Sequence, residues 1–168
     1  IPAVSQAANR DAYATLGPLN TILPTFQQLQ DAKAIILTAN NNTIYNWLWM
    51  DLSKGPLVLE LPPKSLGTAN DMWGHWVADI GITGPDKGAG GKYLYLPPGY
   101  KGDVPSGYFV VRSTTNGLWT PWRSFMVNGD PKPTVEGIKK FTKIYPLADA
   151  GKEHPPLKFM DMSGKPFN

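Results

Sequence analysis

The chain has 168 residues, 42% of them hydrophobic and 17% charged, with a net charge of +3 and a pI near 9.1. That is enough apolar material for one globular domain with its own core, and too much for a disordered segment. The absence of cysteine excludes disulfides, thiol nucleophiles and thiolate zinc sites.

Glycine and proline number 17 each and lie between apolar runs, the mark of many turns joining short strands. In chain order, residues 5–16 read as a helix stopped by Gly17-Pro18, and residues 19–29 as a second helix with Pro24 near its first turn. Residues 34–37 form a short strand-type run. An amide-rich loop, Thr38-Ala39-Asn40-Asn41-Asn42-Thr43, precedes a strand over 44–52 in which Tyr45, Trp47 and Trp49 alternate with Asn46, Leu48 and Met50. Gly55-Pro56 then turns the chain into a strand over 57–61, and the two read as a hairpin.

Residues 72–82 read as a further strand. Trp73, His75, Val77 and Asp79 fall on one face, and a drier face carries Met72, Trp76, Ile80 and Ile82. The glycine-rich stretch 84–91 reads as a long loop exposing Asp86 and Lys87. Strands follow over 93–96, 108–112 and 118–127. Helical spacing returns at Val135, Ile138 and Phe141, with Thr134 as the expected N-cap. Residues 148–168 show no pattern of their own and read as a linker, or as an arm that lies on a surface. The expected fold is therefore mainly β with flanking helices: an antiparallel barrel-like or sandwich module, N-terminal helices and one C-terminal helix. Its parts are a helical segment at 1–30, a β-rich core with a closing helix at 31–147, and the arm at 148–168.

The candidate chemistry is thin. The acid–base candidates are Glu60, Asp71, His75 and Asp79. On one strand His75 and Asp79 would stand roughly 13 Å apart, too far for a direct bond. With two histidines in the chain a His-based metal site is not expected. The 84–91 loop fits neither the Walker pattern nor the dinucleotide fingerprint, so no cofactor is expected. No Gly-x-Ser-x-Gly singles out a serine.

The neutral amides and hydroxyls of Asn40, Asn41, Asn42 and Thr43 can either hold a turn or grip a ligand. Tyr45, Trp47, Trp49, Trp73, Trp76, Trp119 and Trp122 can fill a core or line a groove for a flat ligand or a sugar ring. Arg112 and Arg123 can stack on those rings or hold an anion, or simply cover apolar surface with their stems.

Several linked blocks carry a family resemblance. They are the Asn cluster with Thr43 and Tyr45, Asp51-Leu52-Ser53-Lys54-Gly55-Pro56, Leu59-Glu60-Leu61-Pro62-Pro63, Asp79-Ile80-Gly81 and Gly84-Pro85-Asp86-Lys87-Gly88. Gly90-Gly91-Lys92-Tyr93, Leu96-Pro97-Pro98-Gly99-Tyr100-Lys101-Gly102 and Gly107-Tyr108 complete the set. Together they resemble the bacterial domain-of-unknown-function 1254 family, whose members usually precede a domain-of-unknown-function 1214 module. Where family members often carry Thr-Pro-Asn-Asn-Asp-Thr, this chain has Ala39 for the proline and Asn42 for the acid, which weakens any catalytic reading of the loop. The resemblance implies a β-rich module flanked by helices and little about activity. The arm at 148–168 resembles the approach to the second module, so the chain is expected to be a fragment, a split product or a naturally short member.

From this follow two expectations of function. The first is a binding or assembly role, with a small-molecule ligand, or with self-association or pairing with a second β module. The alternative is half of a hydrolase site completed by a partner domain. The sixteen Lys and Arg are scattered, which argues against nucleic acid, and no apolar run approaches the ~20 residues of a membrane span. Ile1-Pro2-Ala3-Val4 shows no signal-peptide pattern, and the compartment stays open between periplasmic or secreted and cytoplasmic.

Overall fold

The computed structural model describes residues 2–30 and 40–164, so the strand expected at 34–37 and the loop residues Thr38 and Ala39 lie outside the described residues. Helix α1 (Pro2–Ala14) is followed by β1 (Ile22–Thr25), β2 (Thr43–Asp51), β3 (Leu57–Leu61), β4 (Ser65–Asp71) and β5 (Trp76–Gly81). Then come β6 (Gly91–Leu96), β7 (Phe109–Arg112), β8 (Gly117–Phe125), α2 (Pro131–Phe141), β9 (Lys143–Pro146) and β10 (Lys158–Asp161). Two sheets form a sandwich that does not close into a barrel. One has the order β10-β1-β2-β8-β4-β5 and the other β7-β6-β3-β9. Most pairs are antiparallel as expected, but β1 with β10 and β6 with β7 run parallel.

Alternation along the strands builds the core. Ile44, Leu48 and Met50 of β2 face inward with Leu118 and Trp122 of β8, and meet Leu57, Leu59 and Leu61 of β3 and Tyr93 and Tyr95 of β6. Burying Trp122 removes on the order of 200 Å² from water, about 5 kcal/mol as an upper bound. Helix α2 closes the interior with Val135 and Ile138.

Several expectations are corrected. The second helix, 19–29, is instead the strand β1: Asn20 turns the chain at φ 66°, and all four side chains of β1 are buried. Pairing with β2 and β10 on either side, with all four side chains buried, selects the extended form. The expected hairpin of 44–52 with 57–61 does not form, because β2 and β3 belong to opposite sheets. The Asp51 carboxylate caps the Ser53 N–H at 2.9 Å, Gly55 takes φ 124°, and the chain steps between layers.

The strand expected over 72–82 begins later, at Trp76. Residues 72–75 are a turn in which Gly74 has φ 80° and the Asp71 carboxylate accepts from the N–H of Trp73 and His75. Trp73 and Trp76 are thereby left 59% and 66% exposed, so Trp76 does not lie on a dry face. Residues 65–71, which show no strand alternation, form β4. Gly67 is needed there, since a Cβ would sit 2.5 Å from Trp122 Cβ.

Asp86, expected to be exposed, is buried: it accepts from the Tyr93 hydroxyl and from Gly90 N–H, pinning the glycine-rich loop. The cap of α2 is Asp130, whose side chain accepts from Lys132 N–H at 2.9 Å. Thr134 lies inside the helix and donates to the Phe125 carbonyl. The patternless tail contributes β10, held by pairing with β1 rather than by periodicity of its own.

Candidate functional site

Among the described residues, helix α1 covers one end of the outer face of the six-stranded sheet. There α1 lays Tyr13 against Ile22 and Trp49, and the Tyr13 hydroxyl donates to the Ile22 carbonyl at 2.6 Å. Beyond α1 the face opens into a groove of about 410 Å³ whose lining includes the aromatics Tyr45, Trp47 and Trp119. The strand register explains this gathering. Odd-numbered residues of β2 point outward, Tyr45 pairs with Arg123 and Trp47 with Pro121, and Arg123 in turn pairs with Leu66 of β4. Thr68 of β4 faces Asp79 of β5 across the next pair.

The rings are mutually braced. Trp119 stacks on Trp49 at 6.2 Å and meets Trp47 edge-on, and Trp47 meets Phe26 edge-on at 5.7 Å. Such contacts fix ring planes before any ligand arrives. Asp79 Oδ1 accepts from Trp76 Nε1 at 3.1 Å, holding the carboxylate at the groove's edge-strand wall. Arg123 has no ion-pair partner among the described residues.

Of the candidates named from sequence, Tyr45, Trp47, Asp79, Trp119, Trp122 and Arg123 are brought together here. The amide loop acts on them indirectly. Asn40 Oδ1 accepts from Asn42 N–H at 3.1 Å and from Thr43 Oγ1 at 2.8 Å, and Asn40 N–H donates to the Tyr45 hydroxyl at 2.9 Å. Asn40 and Thr43 thus hold a turn that positions Tyr45, while Asn41 and Asn42 are exposed. Arg112 is exposed on β7, an edge of the other sheet.

The four acid–base candidates do not converge. Glu60 lies on β3 in the second sheet, accepts from the Tyr145 hydroxyl at 2.7 Å, and has Lys143 and Lys92 at 3.7 and 3.9 Å. Burial, with the Glu60 carboxylate beside it, pushes the Tyr145 phenol up. Asp71 and His75 do meet, at the β4–β5 turn. Asp71 is 1% exposed; its Oδ2 accepts from Thr114 Oγ1 at 2.6 Å and lies 3.3 Å from His75 Nδ1. Burial pushes the Asp71 carboxyl up, but the bonds from Thr114 and from the His75 and Trp73 N–H groups outweigh it and hold the group below its ordinary range. Asp79 faces the groove instead. Among the described residues, no group of three or more His, Asp or Glu is placed to hold a metal ion.

Sequence reasoning did not name Leu66, Thr68, Thr83 or Pro121 for this groove. Alternation of Trp119, Pro121 and Arg123 on β8 carried a readable signal for one of them. The small polar sequence of β4 carried none.

No helix among the described residues is long and apolar enough to cross a membrane. No curated protein matches the chain. Among solved structures it is similar to the VPA0106 protein from Vibrio parahaemolyticus. That crystal structure superposes with a TM-score of 0.64 at 22% identity, over 89% of this chain and 37% of that one. At this identity the likeness bears on the fold alone, and the chain spans well under half the length of that relative. The model of a protein family of unknown function, DUF1254, matches residues 19–146, from the approach to β1 through the end of β9. With that match over most of its length, the chain belongs to the DUF1254 family.

Proposed function

We propose that the module binds a small ring-bearing anion, an aromatic or sugar carboxylate, in the groove on the outer face of the six-stranded sheet. The observation that carries the reading is the convergence of Tyr45, Trp47 and Trp119 with Arg123, which has no ion-pair partner among the described residues, in a volume of about 410 Å³. Aromatic walls hold a flat ring, and a guanidinium supplies the planar two-donor fork that a carboxylate matches. Thr68 and Asp79 also line the groove: the Thr68 hydroxyl can donate to or accept from hydroxyls on the ring, and the Asp79 carboxylate can accept from them.

The test is titration of tryptophan fluorescence and calorimetry with benzoate-type acids, uronic acids and their neutral amides. Acids are expected to bind more tightly than amides, and Arg123→Gln to weaken the acids about tenfold while leaving the amides unchanged. If no member of the panel binds, or if Arg123→Gln weakens acids and amides alike, the reading fails. Self-association through the same face is the assembly form of this proposal. It predicts that sedimentation detects a dimer which the tightest ligand dissociates.

A second reading, half of a hydrolase site, is favoured by one observation only: the buried Asp71 beside the ring nitrogen of an exposed His75. A carboxylate so placed orients an imidazole for proton transfer. Ester and glycoside turnover by the chain with its partner module, lost in His75→Gln, would support it. Turnover unaffected by that change would not.

A further inference from the structure

A second cavity, of about 320 Å³, lies on another side of the molecule, between the C-terminal end of α2, the start of β9 and the segment leading to β10. Its lining is unusually cationic: Lys139, Lys140, Lys143 and Lys152 contribute, against the single acid Glu153. The lysines are poorly neutralised. Lys139 donates to the neutral Gln27 side chain at 2.9 Å, and Lys140 lies 5.2 Å from the centre of the Phe141 ring. Lys143 shares Glu60 with Lys92, and among the described residues only Lys152 has a close carboxylate of its own, Asp149 at 2.9 Å. Four lysines against the single acid Glu153 leave the lining with a surplus of positive charge, which Glu60 and Asp149 offset only in part from outside it.

Two further features belong to the same wall. Thr142 is 3% exposed, and its hydroxyl has no hydrogen-bond partner among the described residues. The His154 ring stacks on Tyr145 at 4.0 Å with the planes 6° apart, which holds an additional donor at the rim. The helix dipole accounts for Lys139 and Lys140, which sit in the last turn of α2. It does not account for Lys143 and Lys152, which come from β9 and from a later loop.

From this we infer a binding site for a phosphate group carried by a small molecule. Lysine ammonium groups are compact point charges suited to a tetrahedral, doubly charged anion; no arginine fork lines the cavity to favour a planar carboxylate. The site is independent of the aromatic groove and of the reading given for it. Its phosphate can come from a soluble phosphate ester or from a lipid headgroup.

The test uses the full chain at neutral pH. Sodium phosphate and glucose 6-phosphate are titrated against sodium chloride of matched ionic strength, with melting temperature and calorimetry as readouts. Sedimentation with phosphatidylglycerol vesicles, and with phosphatidylcholine vesicles as control, forms the second arm. The double variant Lys140→Gln/Lys143→Gln changes two exposed side chains and is checked for folding by circular dichroism. Lys87→Gln/Lys101→Gln, two exposed lysines outside the cavity, is the matched charge control.

Phosphate or its ester is expected to raise the melting temperature where chloride does not, with affinity falling about tenfold in the cavity variant and unchanged in the control. Vesicle binding lost only in the cavity variant, without an effect of the soluble phosphates, assigns the phosphate to a headgroup. Equal effects of phosphate and chloride without vesicle binding, or equal weakening in both double variants, overturn the site.

Discussion

Replacing Asp71 by Asn tests how the β4–β5 turn is held. Asp71 Oδ1 accepts from Trp73 N–H at 2.8 Å and from His75 N–H at 2.9 Å, while Oδ2 accepts from Thr114 Oγ1 at 2.6 Å. An amide has one acceptor oxygen. Its milder placement keeps that oxygen on the two backbone N–H groups and turns its NH₂ toward Thr114 and His75, both of which can accept. Three charge-assisted bonds then become neutral ones. With charged bonds worth about 1.5–3 kcal/mol each and neutral ones about 1, and with part of the turn open to water, the net loss at neutral pH is about 2 kcal/mol.

The pH dependence carries a definite sign. The folded carboxyl titrates below its ordinary range, so its stabilisation is complete above about pH 4 and is lost as the pH falls through the folded value. Asn does not titrate. The gap between the native protein and Asp71→Asn should therefore narrow below about pH 4. Urea unfolding followed by tryptophan fluorescence, at neutral pH and near pH 3, measures both quantities. A gap smaller than about 0.5 kcal/mol at neutral pH, or one undiminished in acid, would refute this account of the turn.

Other substitutions probe the remaining supports. Gly81→Ala puts a Cβ 2.0 Å from the Ser65 carbonyl oxygen at φ 78°; it should cost about 3 kcal/mol or more, read as a large drop in melting temperature. Tyr93→Phe deprives buried Asp86 of its hydroxyl donor and Gly81 N–H of its acceptor, and should cost about 2–3 kcal/mol by urea unfolding. Asp130→Ala removes the cap of α2 and should cost about 1 kcal/mol in the same assay, whereas a capping role for Thr134 would leave Asp130→Ala near neutral.

Much of the architecture is legible in one dimension. Alternation at period two marks β2, β3, β6 and β8, Gly17-Pro18 ends α1, and the 3.6-residue spacing of Val135 and Ile138 marks α2. These signals are local: each reports how a few neighbouring residues divide between an interior and an exterior. The same alternation places Tyr45 and Trp47 on one face, and half the groove can be read from it. What it leaves open is which face meets water. Of the six tryptophans, Trp122 is buried between the sheets and Trp49 beneath α1, while Trp73 and Trp76 are exposed.

The rest was decided by pairings between distant segments. Ile22–Thr25 is extended because β2 and β10 flank it, and β10 has no periodicity to announce it. Ser65–Asp71 becomes a strand because β8 offers a partner and Gly67 allows Trp122 to approach. Arg123, on β8, reaches Tyr45 on one side and Leu66 on the other only through that register. The sequence alone determined a mainly β module with a closing helix, because hydrophobic periodicity is written residue by residue. The tertiary structure alone decided which strands are neighbours, and hence which rings and charges share a groove, because hydrogen-bonded register depends on the whole chain at once.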